Sequence, residues 1–139
     1  EMETTEFLRK TSLFSGFSDD ALDAVTSTAK ERTFEAGTAM IKEGQTGRGF
    51  YLLLDGSAEV RKGSTVLATF GVGDYFGEMA LLLDDTPRTA DVVALEETRC
   101  LIVTSWDLKA LIKNHPDVGV GMMAELAKRL RDTDAALSD

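Results

Sequence analysis

The fold is most constrained in the middle of the chain. From Arg32 to Thr104 short β-rich runs follow one another with glycines between them, whereas both ends keep a helical rhythm. Phe50-Tyr51-Leu52-Leu53-Leu54 leads through Asp55-Gly56 into Ser57-Ala58-Glu59-Val60-Arg61, and Asp-Gly between two such runs predicts a hairpin. Val66 to Phe70 reads as a further strand and Gly71-Val72-Gly73-Asp74 as a turn. Thr89 to Leu95 and Thr98 to Thr104 read as two more strands. Gly44, Gly56 and Gly73 suit turns that need positive φ. Strands at short, regular spacing with turn chemistry between them predict a barrel or jelly roll.

Helices are expected on either side. Phe7, Leu8, Leu13 and Phe14 give residues 3–13 a helix-compatible pattern, and Ser18-Asp19-Asp20 caps a second helix through Ala21, Leu22, Ala24, Val25 and Ala29. Beyond the strands Ser105 caps Trp106 to Lys113, Asn114-His115-Pro116 interrupts, and a longer helix runs from Asp117 to about Leu137. The expected layout is one mainly β domain: N-terminal helices over 1–30, the β region over 31–104 and C-terminal helices over 105–139. Met123, Leu126, Leu130, Thr133 and Leu137 step in the 3-4-3-4 spacing of a coiled coil. That spacing fits a helix packed on the barrel and a homodimer seam equally. Trp106 and the methionines are expected in the core or an interface, and His115, the single histidine, as a helix C-terminal cap.

Composition closes off several function classes. The 139 residues, 43% hydrophobic and 28% charged, suit one domain with a continuous core rather than a disordered chain. A net charge of -9 argues against a nucleic-acid surface, so no direct nucleic-acid binding is expected. No apolar run reaches the ~18 residues of a membrane helix, so no membrane partner is expected either. Cys100, alone in Arg99-Cys100-Leu101-Ile102-Val103, reads as a buried strand residue, and a chain without an internal disulfide fits a reducing cytoplasm. A cupin-type metal enzyme needs several converging histidines, and this chain has one, so neither catalysis nor a metal site is expected.

One segment names a ligand class. In Asp74-Tyr75-Phe76-Gly77-Glu78-Met79-Ala80-Leu81-Leu82-Leu83 a glycine opens a one-turn helix headed by a carboxylate. Asp84-Asp85-Thr86-Pro87-Arg88-Thr89-Ala90 follows, and Arg88 is the only cation between Lys62 and Arg99. Free N–H groups at a helix start cradle phosphate, a guanidinium forks onto its oxygens, and a carboxylate accepts from a sugar hydroxyl. The set suits a small, singly charged anion with a hydroxyl close by. A nucleoside triphosphate would need a lysine-bearing glycine loop and a metal instead. Taken singly, Glu78 could do no more than favour a helix dipole, and Arg88 could be a surface residue after a proline turn.

Over almost its whole length the chain resembles cyclic-nucleotide-binding domains, those of catabolite-activator-type bacterial regulators, cyclic-nucleotide-dependent kinases and gated channels. Leu13-Phe14-Ser15-Gly16-Phe17-Ser18 resembles the family's entry segment, and Gly49 to Val60 its central hairpin. Gly73 to Leu82 with Pro87-Arg88-Thr89-Ala90 resembles its phosphate-binding cassette. The resemblance implies an eight-stranded β-roll, a double-stranded β-helix like a jelly roll, with flanking helices. It implies that Glu78 accepts from the ribose 2′-hydroxyl and that Arg88 pairs with the equatorial oxygen of the cyclic phosphate. Backbone amides around Gly77, Met79 and Ala80 and at Thr89 would complete the cradle, and Phe76 is expected among the ligand-binding residues.

Thr133 lines up with a hydroxyl position of the bacterial regulators' long helix that meets the adenine amino group, whereas the neighbouring Asp134 departs from that pattern. The ligand expected is cAMP, ahead of cGMP, with no further cofactor. Relatives that sense iron–sulfur clusters or haem need ligands not visible here. The function implied is a regulatory module that relays occupancy through its terminal helices. The alternatives are a degenerate domain used for dimerisation or protein contact, and the sensor of a larger transcription factor or enzyme. No helix-turn-helix follows within this sequence, so a DNA-binding domain is not expected in it.

Overall fold

The computed structural model describes residues 2–44, 49–77 and 90–138, with side chains over 4–132 of that range. Two compact units emerge: residues 28–108, and residues 1–27 together with 109–139.

The first unit contains eight strands among the described residues: β1 Lys30–Phe34, β2 Ala39–Ile41, β3 Gly49–Asp55, β4 Ala58–Lys62, β5 Thr65–Phe70, β6 Tyr75–Phe76, β7 Asp91–Ala94 and β8 Thr98–Thr104. They form two four-stranded antiparallel sheets, ordered β1-β8-β3-β6 and β2-β7-β4-β5. Phe34, Leu53, Phe76 and Cys100 of one sheet meet Met40, Ile41, Ala58, Val92 and Ala94 of the other in a single buried core. In β3 and β8 both faces carry buried apolar residues. Leu53 pairs with Cys100 on the core side, while Leu52 opposite Leu101 and Phe50 opposite Val103 are buried on the other. Such strands read as continuous apolar runs without alternation. The outer strands differ: residues 30–33 of β1 are all exposed, with the Arg32 guanidinium 4.6 Å from the Phe34 ring centroid. Charge of this kind keeps an open edge from pairing with other chains.

The expected Asp-Gly hairpin is not there. β3 belongs to one sheet and β4 to the other, so Asp55-Gly56-Ser57 carries the chain between sheets. Gly56 does have positive φ, at 92°, and Asp55 Oδ1 accepts from its N–H at 3.0 Å. What redirects the chain is a second crossing, between β7 and β8, packed directly against the first. The Ser57 N–H donates to Thr98 Oγ1 at 3.2 Å, the Leu95 N–H donates to the Ser57 carbonyl at 2.9 Å, and Ser57 Oγ donates to Glu96 at 2.7 Å. The true hairpin of this region joins β4 to β5 through Gly63-Ser64.

The second unit holds most of the helical residues. The four helices among the described residues are α1 Met2–Arg9, α2 Asp19–Thr28, α3 Ser105–Asn114 and α4 Pro116–Ser138. α1 stops earlier than its pattern suggests. The Thr11 hydroxyl donates to the Leu8 carbonyl at 2.7 Å and accepts from the Phe14 N–H at 3.3 Å, so Leu13 and Phe14 are buried from a turn. Ser18 caps α2 as expected, its Oγ accepting from the Ala21 N–H at 3.2 Å. For α3 the side-chain cap comes one residue earlier than expected, Thr104 Oγ1 accepting from the Asp107 N–H at 3.2 Å. His115 links α3 to α4, donating its N–H to Leu111 at 2.7 Å and accepting from Val118 at 3.0 Å, before Pro116 opens α4. Trp106 is 67% exposed and therefore no core residue, and Met123 is exposed while Met40 and Met122 are buried. No helix among the described residues is long and apolar enough to cross a membrane.

Candidate functional site

The two sheets set the frame of the site. β6 is only two residues long, Tyr75 and Phe76, and is held at the edge of one sheet by pairing with Leu52 and Tyr51. The chain then leaves through Gly77 at φ 88° and re-enters at β7, an inner strand of the opposite sheet. Positive φ is freely open to glycine alone, so Gly77 fits the corner that a Phe-Gly-Glu motif needs. Of the candidate residues, Glu78, Met79, Ala80, Arg88 and Thr89 lie outside the described residues.

Phe76 packs between two other aromatic rings. Its ring is 5% exposed and stacked on Tyr51 at 5.0 Å and on Phe70 at 5.2 Å, with interplanar angles of 8° and 16°. Phe34 extends the row, 6.4 Å from Tyr51. The ring thus belongs to the core. Tyr51 and Phe70 were not singled out in the sequence, yet they fix Phe76 and remain only half-buried themselves. Their signal was an aromatic residue in each of two strands of opposite sheets, which local motifs do not connect.

The approach to Gly77 is equally constrained. Leu53 donates to the Asp74 carbonyl and accepts from the Gly73 N–H, both at 2.9 Å. The Asp74 carboxylate accepts from the Gly71 N–H at 2.8 Å, closing the turn on itself. At the other flank Asp91 Oδ1 accepts from the Glu43 N–H at 2.6 Å, tying the start of β7 to the end of β2. The cation nearest in register is Arg61, opposite Asp91, and it is engaged by Glu59 through both its Nε and a terminal nitrogen. Hydrogen bonds thus hold the chain on both flanks of the motif, and Arg61 beside it is paired with Glu59.

Thr133 lies in α4, its side chain outside the described ones. Cys100 is fully buried in β8, and burial pushes its thiol up to about 12, so it stays protonated and unreactive. Among the described residues no group of His, Cys, Asp and Glu side chains could hold a metal ion.

Comparison with known proteins bears on this frame. A family model described as "Cyclic nucleotide-binding domain" matches residues 31–115. The cyclic AMP receptor protein of Thermus thermophilus is 34% identical over 130 residues, covering 90% of this chain and 60% of that protein. A cAMP-dependent protein kinase regulatory subunit of Yarrowia lipolytica is 54% identical over 74 residues, 52% of this chain and 18% of the other. The crystal structure of the Thermus thermophilus catabolite activator protein superposes with a TM-score of 0.82 at 34% identity, over 92% of this chain and 62% of that one. The chain thus spans 60% or less of the length of these two relatives.

Proposed function

The chain belongs to the cyclic nucleotide-binding domain family, and on that premise we propose that it is a regulatory module, not an enzyme, that takes up cAMP in preference to cGMP. The observation that carries the reading is the cassette motif inserted between β6 and β7, with Gly77 already in the required left-handed conformation. Glu78 holds the ribose hydroxyl, Arg88 the cyclic phosphate, and the amides at Gly77, Met79, Ala80 and Thr89 complete the cradle. The preference for cAMP is supported by the two relatives whose names specify that nucleotide. Thr133 contributes to base recognition from α4. Occupancy favours one arrangement of the terminal helices over another, by the difference in ligand affinity between the two. Val120, Met123 and Leu130 stand exposed along α4 and support a homodimer seam. The acidic charge supports a role without direct nucleic-acid contact, and the lone buried thiol supports a cytoplasmic location.

Calorimetric titration of the wild type and of Arg88→Ala with cAMP and cGMP tests the reading. A charge-assisted hydrogen bond contributes about 1.5–3 kcal/mol, so losing the guanidinium weakens cAMP binding by at least about ten- to a hundredfold. Uptake of neither nucleotide by the wild type refutes the proposal and leaves a dimerisation or protein-contact domain.

A further inference from the structure

Asp55-Gly56 is the single Asp-Gly step in the sequence. An aspartyl carboxyl can close a five-membered ring on the nitrogen that follows it, and glycine has no side chain to shield that nitrogen. Within a sheet such a nitrogen is ordinarily committed to a neighbouring strand. Gly56 lies instead between β3 and β4, just past the point where the β3–β8 register shifts between Leu53 and Asp55. Among the described residues the acceptor of its N–H is Asp55 Oδ1 itself, at 3.0 Å. The two groups that must react are therefore already in contact, and the Asp55 side chain is exposed to water. Asp74 and Asp91 differ. Their carboxylates accept from the Gly71 N–H at 2.8 Å and the Glu43 N–H at 2.6 Å, and the nitrogens after them belong to Tyr75 and Val92, inside β6 and β7.

We propose that Asp55-Gly56 is a site of spontaneous covalent modification, at which the folded chain converts Asp55 to isoaspartate and weakens the junction between its sheets. The Gly56 nitrogen bonds to Asp55 Cγ, and its proton leaves with the carboxyl hydroxyl as one water, closing a succinimide. Water then adds to one of the two ring carbonyl carbons. Addition at Cγ breaks the Cγ–N bond and restores aspartate. Addition at the main-chain carbonyl carbon of Asp55 breaks the original peptide bond and leaves the chain running through Cβ. One water departs and one returns, so mass is conserved and nothing is oxidised or reduced. The product has one backbone carbon more, in a crossing without room for it. A Cβ on Gly56 would already lie 2.5 Å from Thr98 Oγ1 and 2.6 Å from the Glu97 carbonyl oxygen. Ser57, the next residue, holds Thr98 and Leu95 through hydrogen bonds of 3.2 and 2.9 Å that a longer backbone displaces.

The test ages the full chain for several weeks in warm, mildly acidic buffer, then digests it and separates the peptide containing Asp55 by liquid chromatography with mass detection. Methyl transfer from S-adenosylmethionine by an isoaspartyl methyltransferase identifies the product. Wild type is expected to give a second, methyl-accepting peak of identical mass, at least about tenfold above Asp55→Glu, whose ring would need six members. A parallel sample in guanidinium gives the rate of the unfolded chain, and the folded chain is expected within about tenfold of it, because its nitrogen is not withdrawn into a ladder. No isoaspartate at residue 55, equal conversion in Asp55→Glu, or a folded rate further below the unfolded one overturns the site. The isomerised chain, separated from the original by chromatography, is expected to unfold in urea at a midpoint lower by at least about 0.5 M. Equal midpoints overturn the effect on the junction. Neither readout involves a nucleotide.

Discussion

Replacing Gly56 by alanine probes the place where the two sheets exchange chain. The backbone there has φ 92°, and holding a side-chain-bearing residue in the left-handed region costs about 1–2 kcal/mol. A second cost comes from contact. The new methyl carbon would lie 2.5 Å from Thr98 Oγ1, 2.6 Å from the Glu97 carbonyl oxygen and 2.7 Å from Thr98 Cα, two of them backbone atoms that cannot rotate away. Relieving the overlap means separating the two crossings and losing the Ser57–Thr98 and Leu95–Ser57 hydrogen bonds, each a net contribution of about 1 kcal/mol. The sum is about 3–4 kcal/mol, a large share of the ~5–15 kcal/mol that holds a domain together. Gly63→Ala is the control. Its φ is 63°, yet nothing lies within 4 Å of the added carbon, so only the conformational cost of about 1 kcal/mol remains. In urea, followed by circular dichroism, a difference of about 2–3 kcal/mol at a slope of about 1–3 kcal/mol per molar separates the two midpoints by roughly 1 M. Coincident midpoints would refute the idea that the stacked crossings, rather than the local turn, hold Gly56.

Cys100 should resist alkylation at pH 8 in the folded protein and react at once in denaturant, as read by mass spectrometry; rapid labelling of the native chain would contradict its burial. Because the folded thiol titrates near 12 against an ordinary value of 9.0, its contribution to stability is complete below pH 9 and drains away as pH climbs towards 12. Leu130→Glu, at a position 64% exposed, should shift any dimer towards monomer in sedimentation velocity without altering circular dichroism. A wild type that is already monomeric at tens of micromolar would remove the seam from α4.

The strands were legible in the sequence, but their partners were not. Asp55-Gly56 reported a left-handed residue correctly, because φ is a local property of glycine beside a short acceptor. Which strand followed was decided elsewhere, by ladders such as Leu52 with Leu101 in one sheet and Glu59 with Val93 in the other. The Gly63-Ser64 hairpin carries a weaker signal, because Lys62 and Thr65 beside it are not apolar. The Ser18 cap and the buried Cys100 could be read from their neighbours alone. In the site, the motif of residue types was legible as a unit, since its chemistry is carried by consecutive residues. The placement of the Phe76 ring was not, because it depends on Tyr51 and Phe70 arriving from two other strands.

That the helical unit is assembled from both chain ends has a bearing on how the molecule forms. Residues 1–27 and 109–139 must find each other across everything between, and closing so long a loop is entropically unfavourable. The β1–β8 ladder changes the distance along which that search runs. Once Lys30 stands opposite Ile102, the two exits leave one end of the same pair of strands, and the loop still to be closed shrinks to the few residues outside the ladder. About three halvings of loop length lower the closure cost by about 2 kcal/mol. The roll thereby serves as a splint for the helices. Any change that weakens β1–β8 pairing reaches the helical unit through chain entropy, without touching a single contact inside it.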